Sequence, residues 1–170
     1  MNNLESMIAK NLNGKELLAI TRAIDMLCIE FGKVTKKNEE YGARAFPHGE
    51  IALHVQTFWR VRDLEKNIIL FSQSDIYRPY ADVDLEEYNW DSFGANQFDH
   101  ISKQWENQIK GTKVLCCDVS PLLDIFIELE NHQVIEVYSD SSSRDSELWR
   151  LFEHGAAQHL VARDSRLQVE

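Results

Sequence analysis

The sequence predicts an α+β fold, in which N-terminal, middle and C-terminal helices pack on a mainly antiparallel sheet within one domain, residues 1–170. Three observations lead to this prediction. Several segments alternate apolar and polar residues with a period of two, which is typical of half-buried strands. Short polar turns join these segments, as in an antiparallel meander. A few other segments space their apolar residues three and four apart, which is typical of amphipathic helices.

The first fifty residues contain both patterns. Residues 4–12 have the apolar spacing of a helix that ends at Gly14. Residues 15–24 fit a second short helix. From residue 26 the period changes to two, which predicts a strand over 26–31. Residues 33–49 are rich in basic and turn-forming residues, so we expect a long, mobile connection between strands there.

The stretch 51–62, "IALHVQTFWRVR", predicts one continuous strand with an apolar and a polar face. One interpretation is that the polar face is simply solvated, with Arg60 and Arg62 paired to local acids. The alternative is a pocket in which His54, Gln56 and Arg60 bind an anionic or polar ligand. In that case His54 would act as acid or base, Gln56 would orient the ligand and Arg60 would clamp an anion.

The second half of the chain continues these patterns. A third strand is predicted over 68–74 and a middle helix over 97–109. Three further strands are predicted, with a hairpin turn at Asn131 and His132 between the last two, over residues 113–120, 122–130 and 133–139.

The C-terminal region predicts one helix and then strand. In "ELWRLFEHG" (147–155), Leu148, Leu151 and Phe152 share a helical face and Gly155 stands at the end. Trp149 flanks this row, so we expect it to anchor the core. The segments "QHLVARD" and "RLQVE" that follow are predicted to supply the last strand.

The charge balance restricts the partners that we expect. With 18 basic and 28 acidic residues the net charge is −10, which disfavours nucleic acid and anionic membranes, because phosphate binding needs a concentrated cationic face. A basic protein partner remains compatible with it. Three irregularly spaced cysteines, Cys28, Cys116 and Cys117, indicate a reducing compartment, so we expect a cytoplasmic protein. The sequence leaves the oligomeric state open, a homodimer included.

Motifs for metal, cofactor or nucleophilic chemistry are missing from the sequence. No histidine pair has the spacing of a zinc helix, and no cysteine has a partner at metal-site spacing. A calcium loop starting at Asp82 would need glycine and glutamate where Glu87 and Phe93 stand. Glycine-rich phosphate loops and the G-x-S-x-G elbow do not occur. We therefore expect no metal and no cofactor, and the sequence favours a binding protein over an enzyme.

Residues 75–99 form the most distinctive stretch, aperiodic, acidic and aromatic. One interpretation is a surface loop whose aromatic residues pin it to the sheet while its acids stay solvated. The other is a surface or lid that binds a basic protein, since aromatic anchors with charged surroundings suit an interface. Its candidate binding residues are Asp75, Tyr77, Asp82, Asp84, Glu86, Glu87 and Trp90.

Several short signatures together resemble a bacterial family of small single-domain proteins that is described as a domain of unknown function. They are "ALHVQTFWR" (52–60), "SQSDIY" (72–77) with Pro79, Trp90, "NQFD" (96–99), "ELWRLF" (147–152) and "HLV" (159–161). This resemblance implies no catalytic residue. In size and acidity the chain is also similar to immunity proteins that neutralise toxins. The leading hypothesis is thus a non-enzymatic, immunity-like protein that binds a basic partner. The alternative is a small-molecule site or enzyme with a polar pocket on strand 51–62 under loop 75–99.

Overall fold

A computed structural model describes residues 3–41, 44–143, 145–163 and 166–170. The helices are α1 (Asn3–Leu12) and α2 (Gln97–Gln108), and a 3-10 helix covers Gln73–Tyr77. The strands are β1 (Leu17–Ala23), β2 (Met26–Phe31), β3 (Lys36–Tyr41), β4 (Arg44–His48), β5 (Ile51–Val55), β6 (Phe58–Asp63), β7 (Ile68–Ser72), β8 (Val114–Val119), β9 (Ile125–Leu129), β10 (Gln133–Tyr138), β11 (Glu147–Glu153), β12 (His159–Arg163) and β13 (Arg166–Val169).

These strands form two antiparallel sheets and a separate hairpin. The six-stranded sheet has the order β1-β2-β5-β11-β12-β13, and the five-stranded sheet has the order β7-β6-β10-β9-β8. Strands β3 and β4 pair only with each other among the described residues. The mainly antiparallel α+β fold predicted from the sequence is confirmed at this level.

One hydrophobic core is shared by the two sheets. Leu53 and Leu151 come from the six-stranded sheet, Trp59 and Ile135 come from the five-stranded sheet, and all four side chains are almost fully buried. Helix α1 packs against β8, and α2 packs against β1 and β7. The helices bury apolar faces as their spacing predicts, which accounts for much of their stability.

The β3–β4 hairpin covers part of the outer face of the six-stranded sheet, the face turned away from the shared core. Strand β4 contacts β1 and β2. In consequence β2 is buried on both faces from Leu27 to Phe31, whereas an uncovered strand would alternate. The long connection without strands predicted over 33–49 is therefore wrong in its described part, which contains β3 and β4, whereas residues 42 and 43 lie outside the described residues.

Two predicted helices are strands in the structure. Residues 17–23 form β1 and residues 147–153 form β11, so the C-terminal helix of the predicted fold is wrong. Both segments are short, and their apolar residues satisfy a period of two as well as a helical row. Pairing with neighbouring strands decides in favour of strand over helix, because β11 is hydrogen-bonded to β5 on one side and to β12 on the other. Gly155, with φ of 87°, lies in the turn between β11 and β12.

The predicted strand 51–62 divides into two strands in different sheets. β5 ends at Val55, and β6 begins at Phe58 in the five-stranded sheet. At the corner, the hydroxyl of Thr57 donates to the carbonyl of Tyr138 at 2.5 Å, and the backbone N–H of Gln56 donates to Leu148 at 2.8 Å. The corner is thus hydrogen-bonded to β10 of the five-stranded sheet and to β11 of the six-stranded sheet.

Within the described ranges, neither the two α-helices nor the 3-10 helix has the length and apolar character needed to cross a bilayer.

Candidate ligand site on the six-stranded sheet

A cavity of about 300 Å³ lies on the outer face of the six-stranded sheet. Strands β1, β2, β5 and β11 line it together with the end of the β3–β4 hairpin. Its lining residues combine phenyl rings, imidazoles and one carboxylate: Thr21, Arg22, Ala23, Met26, Cys28, Glu30, Phe46, His48, His54, Phe93, Phe152 and His154. A concave, mostly apolar cavity with a few convergent polar groups is the usual form of a small-molecule site.

Strand register brings the polar residues together. Cys28 pairs with His54, and Phe152 pairs with Ala52, which in turn pairs with Glu30. Since side chains alternate between faces along a strand, these residues project from the outer face while their neighbours enter the core. The six-stranded sheet therefore presents Glu30, His54 and Phe152 to the same cavity.

Glu30 is the centre of the polar cluster, with its side chain only 2% exposed. Its Oε2 atom lies 2.9 Å from Nε2 of His154 and accepts a hydrogen bond of 2.8 Å from the backbone N–H of Gly49. Its Oε1 atom lies 3.4 Å from Nδ1 of His48. A buried carboxylate needs such partners, because the removal of an unpaired charge from water is costly.

The positions of His48 and His154 are fixed by backbone contacts at one end of the sheet. Gly49 lies so close to Phe31 that a Cβ atom would come within 2.2 Å of the Phe31 carbonyl oxygen. This close approach directs the Gly49 N–H to Glu30 and places the preceding residue, His48, beside Glu30. The backbone N–H of His154 donates to the carbonyl of Glu50 at 3.0 Å. All three polar side chains thus stand on backbone that is bonded to the sheet.

Burial controls the ionisation of two further cavity residues. Burial lowers the pKa of His54, against the opposing effect of Glu30, so His54 favours the neutral imidazole. Its ring meets the ring of Phe152 edge to face, with centroids 4.9 Å apart. Burial likewise raises the pKa of the Cys28 thiol to about 12, so this group is protonated near neutral pH. A protonated thiol is a poor nucleophile.

The other two residues predicted to act with His54 lie elsewhere. Gln56 is exposed, and its amide donates to Glu147 at 3.4 Å. Arg60 belongs to the five-stranded sheet, where its guanidinium pairs with Glu136 and donates to the hydroxyl of Tyr138 at 2.9 Å. The predicted pocket of His54, Gln56 and Arg60 is therefore wrong, because the chain changes sheet between His54 and Arg60.

Loop 75–99 is anchored at its base by contacts within the chain. The Asp75 carboxylate accepts from the backbone N–H of Ser72 at 2.8 Å, within the capping box of the 3-10 helix. The Tyr77 hydroxyl donates to Asp25 at 3.1 Å, and its ring contacts the ring of Trp90 at 5.0 Å between centroids. These predicted binding residues are all engaged within the chain. Phe93 alone extends from the described loop into the cavity lining.

The tip of the loop has a different character. Residues 81–87, here called the acidic segment, are all exposed. Leu85 is 73% exposed and Val83 is 44% exposed. Both apolar side chains stand among the predicted acidic residues Asp82, Asp84, Glu86 and Glu87.

The sequence prediction missed the cluster of Glu30, His48 and His154. Their ligand-type atoms lie within 4.8 Å of one another, although the residues come from three separate parts of the chain. One signal was available, because Glu30 interrupts the apolar strand "MLCIEF", and acidic residues are almost never fully buried unless paired. Phe152 was also misplaced, since it belongs to the cavity wall and not to the core. Trp149 is fully buried as predicted.

Comparison of the chain with protein families, with curated proteins and with solved structures finds no match, so the arguments about function that follow rest on the geometry of the chain itself.

Proposed function

We propose that the protein binds a small organic molecule in the cavity on the outer face of the six-stranded sheet. The observation that carries the proposal is the convergence of a buried carboxylate and three imidazoles on a cavity whose walls are mostly apolar. The volume of about 300 Å³ lies at the lower end of the usual range for ligand pockets. The site therefore suits a compact ligand.

The lining also indicates the chemistry of the ligand. Phe46, Phe93 and Phe152 offer ring faces and edges to an apolar ring or chain. Glu30, at the polar end, favours a hydrogen-bond donor or a cationic group. Burial holds the cavity cysteine as a thiol, which disfavours Cys28 as a nucleophile. Free cysteines at all three positions are compatible with the reducing cytoplasm as its location.

A thermal-shift screen against metabolites tests the proposal, run with and without a chelator so that hits that need a metal ion are distinguished from hits that do not. A ligand at 100 times its Kd should stabilise the fold by about 2.7 kcal/mol. His54→Ala should abolish the shift, since His54 lines the cavity. Arg60→Ala is the matched control and should leave the shift intact, because Arg60 lies on the other sheet. Shifts that respond equally to both substitutions, or a library without any hit, would contradict the proposal.

The acidic segment supports a second candidate function, the binding of a basic protein partner. Leu85 and Val83 expose apolar surface, and the acids beside them complement a basic face with an apolar centre. Internal hydrogen bonds hold the base of the loop. The acidic segment would therefore lose little conformational entropy on binding.

The test of this second function uses a partner that is captured from lysate and then purified. Reversal of Asp82, Asp84, Glu86 and Glu87 to lysine should weaken binding strongly, and salt should weaken binding to the parent protein. A control variant reverses four exposed acids on other elements, Glu65, Asp118, Glu130 and Glu153. Equal affinities of the two variants would rule out the acidic segment as the binding surface.

A further inference from the structure

We propose that Glu30, His48 and His154 bind a divalent transition-metal ion, with zinc as the ion that we commit to. The inference deepens the proposed function, since the ion would lie in the same cavity and supply its polar end. It rests on the geometry of the three side chains and on the types of ligand atom that they offer.

The distances fit a shared ion. Zinc bonds to imidazole nitrogen and carboxylate oxygen are about 2.0–2.2 Å long, so two ligands in a tetrahedral site lie about 3.4 Å apart. Glu30 Oε1 is 3.4 Å from His48 Nδ1, and Glu30 Oε2 is 2.9 Å from His154 Nε2. All three groups offer atoms within 4.8 Å of one another. Small side-chain rotations would therefore bring them to bonding distance.

One of the proposed ligand atoms makes no hydrogen bond in the described residues, although it lies 3.4 Å from Oε1 of Glu30. Nδ1 of His48 is buried and makes no hydrogen bond to any residue in the described ranges, although its side chain is 15% exposed overall. Buried polar atoms are seldom left unpaired, because their desolvation is not compensated. A metal ion between this nitrogen and Glu30 would satisfy it.

The supporting contacts are those of a pre-organised site. The Gly49 N–H donates to Glu30 Oε2, and such outer-shell hydrogen bonds orient ligating carboxylates. His154 and His48 stand at the same end of the sheet, and their ring centroids are 5.0 Å apart. Two imidazoles and one carboxylate select transition metals over magnesium or calcium, which prefer oxygen ligands. Three protein ligands leave a fourth position open to the cavity, as in zinc sites that bind an exchangeable ligand.

Calorimetric titration of the chelator-treated chain with Zn²⁺ alone tests the inference. We expect one equivalent to bind. His48→Ala and His154→Ala should each weaken binding by about 100-fold or more, because even outer-shell changes cost 10–100-fold. The control His132→Ala removes an imidazole that is 57% exposed on the β9–β10 turn, and it should bind like the parent. Cys116→Ala, which removes a free thiol from β8 in the five-stranded sheet, should also retain binding.

A second readout reports the coordination of the ion, and circular dichroism of each variant shows that it is folded. Co²⁺ in place of Zn²⁺ should give the intense visible absorption of a four-coordinate site in the parent and the controls, and Glu30→Gln should abolish it. No Zn²⁺ binding, or unchanged affinity in both histidine variants, would overturn the inference. A metabolite hit in chelator without any Zn²⁺ binding would leave the proposed function standing and refute the metal site. Zn²⁺ binding without a metabolite hit would do the reverse.

Discussion

Asp99→Ala should destabilise the protein by several kilocalories per mole, because it breaks a buried ion pair. The side chains of Arg22 and Asp99 are only 3% and 2% exposed. Arg22 donates to both carboxylate oxygens, at 2.9 and 3.0 Å, and the backbone N–H of Gly94 donates to Oδ2 at 2.7 Å. The pair joins β1 to α2 and to the end of loop 75–99.

The magnitude follows from these contacts. Three hydrogen bonds to a charged group, at about 1.5 kcal/mol each, amount to about 4.5 kcal/mol. The loss of one partner from a buried pair typically costs about 3–5 kcal/mol, since the remaining charge is left without compensation. Arg22 keeps a hydrogen bond of 2.8 Å to the carbonyl of Ile24 and a contact of 3.3 Å to Asp91. Neither replaces a buried carboxylate, because the carbonyl carries no charge and Asp91 is half exposed and screened. We therefore expect a loss of about 3–5 kcal/mol in the free energy of unfolding.

Urea denaturation followed by tryptophan fluorescence measures this loss, with an unchanged m-value as the sign that both states keep their compactness. The double variant Arg22→Met/Asp99→Leu is the informative control. It removes both charges, so it should be clearly more stable than Asp99→Ala. A midpoint for Asp99→Ala equal to that of the parent, or a double variant no more stable than the single one, would refute the reasoning.

Three further predictions concern single residues. Trp149→Phe should cost about 1–3 kcal/mol in urea melts, because the indole N–H donates to the buried carbonyl of Leu123 at 2.7 Å; an unchanged midpoint would mean that this bond contributes nothing. Hydrogen bonds from Arg150 hold the pKa of Glu147 below its usual value, so the carboxylate stabilises the fold above its unfolded pKa and loses this effect as the pH falls through the folded pKa. Glu147→Gln should therefore cost about 1–2 kcal/mol at pH 7. Its stability should approach that of the parent as the pH falls below the unfolded pKa of about 4.3 and through the lower folded pKa; a constant gap would contradict this. Ile24 has a φ of 59° in the β1–β2 turn and is 63% exposed, so Ile24→Asn should raise the unfolding free energy by about 1 kcal/mol, and a lowered melting temperature would count against strain there.

The sequence predicts those parts of the fold whose pattern is set locally. Helices α1 and α2 each bury one apolar face, and the turn at Asn131 and His132 joins β9 to β10 as predicted. The division of strand 51–62 is hidden from the pattern. Buried residues recur at every second position from Ile51 to Val61, so the alternation keeps its phase across the corner at Thr57. Only the pairing partners, which are distant in sequence, show that the two halves lie in different sheets.

The candidate site is predictable only in part for the same reason. His54 is visible in the sequence because a polar residue alternates with core residues on its strand. Glu30, His48 and His154 have no common local pattern, since long-range pairing and the close approach of Gly49 bring them together. A search by spacing along the chain therefore finds neither the cluster nor the cavity.

The order of the strands has a consequence for the synthesis of the protein. Strand β5 has its place between β2 and β11, and β11 lies about a hundred residues further along the chain, so the sheet depends on non-local contacts that form slowly. When Glu30 and His54 have emerged from the ribosome, Phe152 and His154 have not yet been synthesised. Until the last strands emerge from the ribosome, the β5 edge stays unpaired and open to association with other chains. The cavity is therefore completed only after His154 has been synthesised.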